Sequence, residues 1–428
     1  MTKRPAAKAP TPLSGRPTRH LRPSDLRAAA GLAVDATHGV TRMAEGVHQA
    51  VWGSMGVPGG TQPGQTRGLT GFVYRAVHGV TTLVGHALEA AFTRLEPLLE
   101  TLVDAPPETP EREAVLAALN GVLGDRLAQQ HNPLATPMTL RLNGRVLDWQ
   151  APIAAEPGNA LRSQVLILIH GLCMNDLQWR TQAGGPDAPV LDHGQTLSQA
   201  LGYTPIYVRY NTGLHTSENG ALFSVALEQL VDHWPPGLTE LRVVAHSMGG
   251  LVTRSALHHA RQNHLRWPDR LKAIVFLGTP HHGAPLERAG NWIDVVLGAT
   301  PYSRPFAKLG QLRSAGITDL RYGHVLDADW QGRDRFRRQP DTRTHCPLPT
   351  DVPCYAVAAT TARQRSPVAE RVVGDGLVPL ASALGQHTDP ARCLVFRHDH
   401  QHIAFATHHM ALLSSPTVGT QVLRWLQD

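Results

Sequence analysis

The sequence predicts an α/β protein with a mostly parallel central sheet flanked by helices, together with a helical region in the N-terminal third. From residue 138 onward, short runs rich in β-branched and apolar residues alternate with segments of helical periodicity. This alternation is typical of chains in which helices connect parallel strands. The run QVLILIHG at 164–171 is apolar almost throughout, as expected of a strand that is buried on both faces.

The strands are predicted in chain order from these runs. The first two form a hairpin, MTLRL and RVLDW, because Asn143-Gly144 between them is a typical two-residue turn. Further strands are predicted at 164–171, 204–210, 241–245, 273–278, 354–360 and 393–396, and helices at 195–201, 221–233, 249–263 and 416–427.

The first third of the chain has a different character. Residues 1–23 are basic and proline-rich, so a disordered tail is predicted. Residues 24–130 show helical spacing and form a predicted helical accessory region, whose last helix begins at Thr109 and Pro110 and extends through Ala128. We expect this region to cover the domain that follows, with contact to an anionic membrane surface as the alternative.

The composition and the motif content bear on the partners and the location expected for the protein. The 428 residues are 42% hydrophobic, and the net charge of +6 is accompanied by no zinc-finger spacing, RNA-binding aromatic motif or basic heptad region. A nucleic-acid partner is therefore not expected. Cys346 and Cys354 either pair in an oxidising compartment or, as the sparse and irregular cysteines favour, remain free. Because no apolar run suits a secretory signal or a membrane span, a cytoplasmic location is expected, with peripheral membrane contact left open.

The stretch VVAHSMGG at 243–250 carries the first chemical signal. A strand leads into Ser247, and Gly249 and Gly250 open the following helix. A serine at a sharp strand-to-helix turn has an exposed hydroxyl and needs small neighbours. This need explains two adjacent glycines, although each costs conformational entropy on folding. Ala245 stands where the usual motif has glycine, and it is small enough for the turn. The alternative is an ordinary turn with a surface serine.

A serine nucleophile needs a base that is itself oriented by an acid. The acid candidate is Asp375 in VVGDGLVP, after the strand at 354–360, with a simple turn aspartate as the alternative. Asp389 and Asp399 are weaker candidates. For the base we favour His409, which precedes the apolar Met-Ala-Leu-Leu segment near the last helix. The other histidines of this segment are His398, His400, His402 and His408, and His408 is the second choice.

Acyl transfer also needs donors for the oxyanion. The backbone N–H groups of Met248, directly after the serine, and of Leu172, after the strand that ends at His170 and Gly171, are the candidates. His170, Gly171, His246, His281 and His282 are expected to line the site, and His246 is expected to pack rather than to act as base. No residues with metal-site spacing are identified.

Four motifs follow one another in the order HGL (170–172), AHSMGGLVTR (245–254), GTPHHGAP (278–285) and GDGLVP (374–379). In this order they resemble the α/β-hydrolase superfamily, in particular its lipase and esterase branch and the bacterial hydrolases similar to GPI inositol-deacylase. The resemblance covers residues 138–428. It implies Ser247 as nucleophile, Asp375 as acid and His409 as base, and it places GTPHHGAP beside the nucleophile. It leaves the N-terminal region unassigned.

The function expected from this pattern is hydrolysis of carboxylic esters through an acyl-enzyme on Ser247, with an ester or lipid-like small molecule as substrate and no cofactor or metal. An acyltransferase with the same three residues remains an alternative, because both reactions share the acyl-enzyme. A non-catalytic binding module is a further alternative, but it predicts a damaged set of catalytic residues, which the sequence does not show. Residues 286–350 are a candidate lid insertion, and the oligomeric state is not determined by the sequence.

Overall fold

The computed structural model describes residues 109–153, 160–182, 190–284, 313–335, 340–363 and 374–427. The chain divides into two compact units, one of residues 1–112 and 132–134 and the other of residues 113–131 and 135–428. The sheet and its helices lie in the second unit. The disordered tail and the accessory helices that the sequence predicts before residue 109 lie outside the described residues, and so does the first part of the predicted lid, up to residue 312.

Ten strands are described. They are β1 Thr139–Leu142, β2 Arg145–Val146, β3 Gln164–Ile169, β4 Arg180–Gln182, β5 Val190–Asp192, β6 Thr204–Arg209, β7 Glu240–His246, β8 Leu271–Leu277, β9 Cys354–Ala359 and β10 Gln401–Ala404. Eight of them form one sheet in the order β10-β9-β8-β7-β3-β6-β1-β2, and β4 pairs with β5 separately. From β10 to β6 all neighbours are parallel, whereas β1 runs antiparallel to both β6 and β2. The predicted hairpin and the mostly parallel sheet are confirmed.

One predicted strand is wrong. Residues 393–396 are not paired into the sheet, and Val395 is 86% exposed, although Leu394 and Phe396 on either side of it are buried. The strand at this edge is instead β10, which pairs with β9 in parallel. Because β10 begins with the polar residues Gln401 and His402, it lacks the apolar run from which a strand is predicted. The apolar 393–396 segment, in contrast, packs its side chains without backbone pairing.

Seven α-helices are described. They are α1 Pro110–Gln129, α2 His193–Leu201, α3 Thr216–His233, α4 Met248–Gln262, α5 Ala315–Asp319, α6 Leu380–Ala383 and α7 Pro416–Gln427. The predicted helices at 195–201, 221–233, 249–263 and 416–427 correspond to α2, α3, α4 and α7. Leu166 and Leu168 of β3 share one apolar cluster with residues of α2 and α7, which leaves the other face of the sheet to α3 and α4, packed against each other.

Helix α1 packs against the sheet-bearing unit through polar contacts as well as apolar ones. The Asn211 side chain donates to the carbonyl of Gly124 at 2.8 Å, and the Asn175 side chain donates to the carbonyl of Glu113 at 3.0 Å. The carboxylate of Glu113 accepts from Arg209 of β6 at 2.6 Å. The sequence groups this helix with the accessory region, but from residue 113 onward it clusters with the sheet.

None of the helices within the described ranges is both long enough and apolar enough to cross a bilayer. All four cysteines are free.

Candidate active site

Ser247 occupies the turn between β7 and α4. Its backbone has φ 54° and ψ −123°, a left-handed conformation that a residue with a side chain rarely adopts. The turn is held in place because the Ser247 amide donates to the carbonyl of Leu277 at the end of β8, at 2.8 Å. Such a strained conformation persists only where its surroundings fix it, and strained residues concentrate at functional sites.

Gly249 and Gly250 are required by the same turn. A Cβ atom on Gly249 would lie 2.6 Å from the carbonyl oxygen of His170 and 2.7 Å from that of Ile169. A Cβ atom on Gly250 would lie 2.0 Å from the Thr279 hydroxyl. The helix therefore starts close against the end of β3 on one side and the loop after β8 on the other, as the two glycines in the sequence predicted.

Asp375 and His409 meet at the same edge of the sheet. The Nδ1–H of His409 donates to Oδ2 of Asp375 at 2.6 Å, and the His409 amide donates to the Asp375 carbonyl at 3.1 Å. Both residues are buried. The other carboxylate oxygen of Asp375 accepts from the amides of Leu377 at 2.9 Å and Val378 at 2.7 Å. The aspartate therefore stabilises its own turn with one oxygen and orients an imidazole with the other.

The second nitrogen of His409 has the character of a base. Because Nδ1 carries the proton donated to Asp375, Nε2 of the neutral ring holds a lone pair, and this buried atom has no hydrogen-bond partner among the described residues. Five other histidines in the described ranges also have a buried and unpartnered ring nitrogen, namely His170, His246, His259, His281 and His402. None of those five is paired with a carboxylate through its other nitrogen.

His246 lies against the His409 ring. The two ring centroids are 4.7 Å apart, and Nε2–H of His246 donates to the carbonyl of His409 at 3.4 Å. Burial, together with the neighbouring His409, holds the pKa of His246 well below its usual value of 6.5. His246 is therefore a neutral residue that packs beside the His409 imidazole.

The loop after β3 lies directly beside the serine. A Cβ atom on Gly171 would be 2.8 Å from Cβ of Ser247 and 3.4 Å from its Oγ. The next residue, Leu172, is buried, and so is Met248 after the serine. Neither backbone amide of these two residues donates to an acceptor in the described part of the chain. Two candidate oxyanion donors are thus carried by the two segments that meet at Ser247.

Comparisons with known proteins agree with this architecture. The family model of the PGAP1-like alpha/beta domain matches residues 160–343, a little under half of the chain, and this segment includes both the loop after β3 and the turn at Ser247. Residues 160–343 are thus similar to the PGAP1-like alpha/beta domain. The match ends before Asp375 and His409, whose placement comes from the strand order and the contacts described above.

Several solved structures are remotely similar to this chain. The mature lipase BlEst2 of Bacillus licheniformis is 16% identical, with 68% of this chain and 97% of that chain covered and a TM-score of 0.39. Lipase B of Aspergillus fumigatus is 9% identical over 68% of this chain and 56% of that one, with a TM-score of 0.37. The Pyrobaculum calidifontis esterase is 14% identical over 63% and 76%, with a TM-score of 0.35. Likenesses this remote say nothing about the activity of this chain. No curated protein sequence matches it significantly.

The remaining predicted site residues differ in whether they contact Ser247, Asp375 or His409. His170 is fully buried, donates to the Gly171 carbonyl at 2.9 Å and stacks on Tyr210. His281 and His282 make their polar contacts with Arg254, Arg343 and the Gly385 carbonyl rather than with the serine, aspartate and histidine. In GTPHHGAP it is the first residue, Gly278, that lies against His409, since its Cβ position is 3.1 Å from Cε1 of that ring.

The weaker candidates have structural roles. Asp389 accepts from the Ala391 amide in a short turn, and Asp399 pairs with Arg397 on the surface. His408 is exposed and its Nδ1 accepts from the Ala411 amide, so it begins the short helical turn that contains His409.

A buried ionic network behind the loop after β3 was missed by the sequence reasoning. Asp176 forms an ion pair with Arg209 and lies 3.4 Å from Nε of Arg141, and Arg209 also binds Glu113. Asp176 belongs to the segment that follows Leu172, so the network fixes the loop that lies beside the serine. No local sequence signal identifies it, because its members lie on α1, β1, β6 and this loop and meet only in the folded chain.

Proposed function

We propose that the protein is a serine hydrolase that cleaves carboxylic esters through an acyl-enzyme on Ser247. The observation that carries the proposal is the buried bond between His409 and Asp375, which leaves a lone pair on Nε2 of His409 at the edge of the sheet where Ser247 is held in its strained turn. A buried histidine with only a packing role has no need of a carboxylate partner on one side and an open nitrogen on the other.

The first half of the reaction forms the acyl-enzyme. Nε2 of His409 takes the hydroxyl proton of Ser247 while Oγ attacks the ester carbonyl carbon. The negative charge that develops on the carbonyl oxygen is stabilised by the N–H groups of Leu172 and Met248. When the tetrahedral intermediate collapses, the bond to the alkoxide breaks and the alkoxide receives the proton from Nε2, so the alcohol leaves.

The second half regenerates the serine. A water molecule gives a proton to Nε2 of His409 and attacks the acyl carbon, and the proton then returns to Oγ as the carboxylic acid leaves. Throughout, Asp375 keeps the proton of the neutral ring on Nδ1 and stabilises the imidazolium. His246 stays neutral because burial lowers its pKa, so it places no second positive charge beside His409.

The proposal is tested with a fluorophosphonate probe, which phosphonylates an activated serine with loss of fluoride. We expect one label per chain, located on Ser247 by peptide mapping, and no label on the Ser247→Ala variant. A label of equal extent on Ser247→Ala, or on another serine, would overturn the proposal. An accompanying series of p-nitrophenyl esters of increasing acyl length defines the substrate range, for which we propose esters of small or lipid-like molecules.

A further inference from the structure

A small polar cavity lies beside the loop that connects β8 to the active site. Its volume is about 20 Å³, and its lining includes three arginines, Arg254, Arg343 and Arg392, together with His281. Thr344 and His345 also line it and are exposed, so the cavity reaches the surface. It is separate from the serine, aspartate and histidine of the active site, and the proposed reaction makes no use of it.

Arg254 is the central group of this cavity. It lies on α4, seven residues after Ser247, and only 7% of its surface is exposed. Its guanidinium donates to the Cys346 carbonyl at 2.5 Å and to Nδ1 of His281 at 3.5 Å. No described carboxylate lies within 4 Å of it. An arginine stays protonated even where burial lowers its pKa, so this is a buried positive charge without a contacting carboxylate among the described residues.

Two donors on lining residues have no acceptor among the described parts of the chain. Nε–H of Arg254 is buried and unpartnered in the described ranges. Because Nδ1 of His281 accepts from Arg254, the neutral His281 ring carries its proton on Nε2, and this buried atom is also unpartnered there. Buried donors are almost always satisfied in folded proteins, so a ligand that supplies acceptor oxygens fits these two groups.

The other two arginines of the cavity are paired with carboxylates. Arg343 and Arg392 share the carboxylate of Asp341, at 2.8 Å and 3.1 Å, and Arg392 also approaches Asp389 at 3.5 Å. Asp329 is the one carboxylate on the described lining, and its two oxygens accept from the backbone amides of residues 325, 326 and 344.

His345 lines the same cavity as the three arginines. Its pKa is lowered from its usual value by partial burial and then by Arg254, Arg392 and Arg343 in turn. The charges of the three arginines therefore all disfavour a proton on its ring. Guanidinium groups that converge from several directions suit a tetrahedral oxyanion, since each can contact a different oxygen.

We propose that this cavity, formed by Arg254, Arg343, Arg392 and His281, binds a phosphate group. A cavity needs about 10–15 Å³ to hold one water molecule, so its interior admits one oxygen of the phosphate and the rest of the group extends toward Thr344 and His345. The ligand is therefore a free phosphate or the phosphate of a larger molecule, such as a lipid headgroup, that remains outside. Arg254 lies seven residues after Ser247, so its backbone is about 10 Å along the axis of α4 from that of the nucleophile.

The first test is titration of the full-length protein with inorganic phosphate, followed by calorimetry and by the thermal unfolding midpoint, at an ionic strength kept constant with sodium chloride. We expect one phosphate per chain and a rise in the unfolding midpoint with phosphate concentration. Ser247→Ala should bind phosphate as the parent does, so the phosphate site is tested separately from the proposed hydrolase activity. No heat and no midpoint shift with the parent protein would overturn the proposal.

Variants locate the site. Arg254→Met should weaken phosphate binding by about tenfold or more. Because this change also removes the hydrogen bond to Cys346, Arg392→Gln is the second variant, with a smaller disturbance near the surface and an expected loss of about tenfold. The matched control is Arg397→Gln, which removes an exposed arginine that is likewise paired with an aspartate. Phosphate affinity of Arg392→Gln equal to that of the parent and of Arg397→Gln would overturn the assignment.

Two further binding experiments distinguish a lipid headgroup from a soluble phosphate as the ligand. Vesicles of phosphatidylglycerol in phosphatidylcholine, compared with phosphatidylcholine alone, test a lipid headgroup by co-sedimentation, and glycerol phosphate tests a soluble ester. Loss of vesicle binding in Arg392→Gln but not in Arg397→Gln assigns the site to a headgroup. Binding of inorganic phosphate and glycerol phosphate without vesicle binding assigns it to a soluble phosphate. Vesicle binding that is equal in all variants, with no binding of soluble phosphate, contradicts the site.

Discussion

Nδ1 of His409 lies 2.6 Å from Oδ2 of Asp375, although 34 residues separate the two in the chain. Both side chains are buried at the end of the parallel strands, and each is also fixed through its backbone. The pair therefore forms a rigid unit whose only unsatisfied atom among the described residues is the outer ring nitrogen, Nε2. The first two predictions concern this unit.

Asp375→Asn should keep the fold and lower the turnover number for p-nitrophenyl acetate by about 10⁴-fold. An asparagine oxygen can still accept from the Leu377 and Val378 amides, so the turn persists, but the amide no longer holds the His409 tautomer and no longer stabilises the imidazolium. Initial rates and urea unfolding of the same preparation separate the two effects. Turnover within tenfold of the parent would contradict the role of Asp375.

His409→Ala should abolish ester hydrolysis nearly completely, whereas His408→Ala should keep most of it. His408 is exposed and acts only as an acceptor for the Ala411 amide, so its loss should cost about 1 kcal/mol of stability at most. Steady-state kinetics on the two neighbouring variants, with circular dichroism as the check on folding, decides the assignment. If His408→Ala were the inactive variant, the base would be the neighbouring histidine.

Gly250→Ala should destabilise the protein by about 1–3 kcal/mol. Helix propensity alone favours alanine by about 1 kcal/mol, but the new methyl group would lie 2.0 Å from the Thr279 hydroxyl and 2.8 Å from Cδ1 of Phe276. The free energy of unfolding in urea measures the change, and Thr279→Ala in the same chain should restore part of it. A stabilised Gly250→Ala variant would mean that the helix and the loop after β8 are less closely packed than described.

Arg209→Met should lower the free energy of unfolding by about 3–5 kcal/mol, because it leaves the carboxylates of Glu113 and Asp176 buried without their common partner. Arg261→Met is the matched control, since Arg261 pairs with Asp351 at the surface, and its effect should be much smaller. Equal effects of the two variants in urea titrations would show that α1 is not tied to the sheet by this network.

Acid should destabilise the folded state through buried histidines. Burial lowers the pKa of His170 from 6.5 to about 4, so the folded ring stays neutral at pH values where the unfolded ring takes a proton. The unfolded chain then binds more protons, and the free energy of unfolding decreases as the pH falls from about 6.5 to about 4, by roughly 1.4 kcal/mol per pH unit for this group. His170→Gln should flatten that dependence by one proton in urea titrations across this range. An unchanged slope would contradict the assignment.

The sequence by itself predicted the elements whose signals are local. The apolar run of β3, the Asn143-Gly144 hairpin and the small residues around Ser247 each express a constraint within a few neighbouring residues. The order of the motifs also placed Asp375 and His409 as candidates. Local signals failed at residues 393–396, where apolar side chains pack without strand pairing, and at β10, where a paired strand carries polar residues.

Only the tertiary structure decided which groups meet. Five candidate histidines lie close together in the sequence near the C-terminus. Burial, together with contact to Asp375, distinguishes His409 from the others. The placement of α1 against the sheet and the convergence of three arginines on one cavity depend on contacts between residues far apart in the chain. Such contacts leave no periodic trace in the sequence, because the free energy of an ion pair or of a buried charge depends on its surroundings in space.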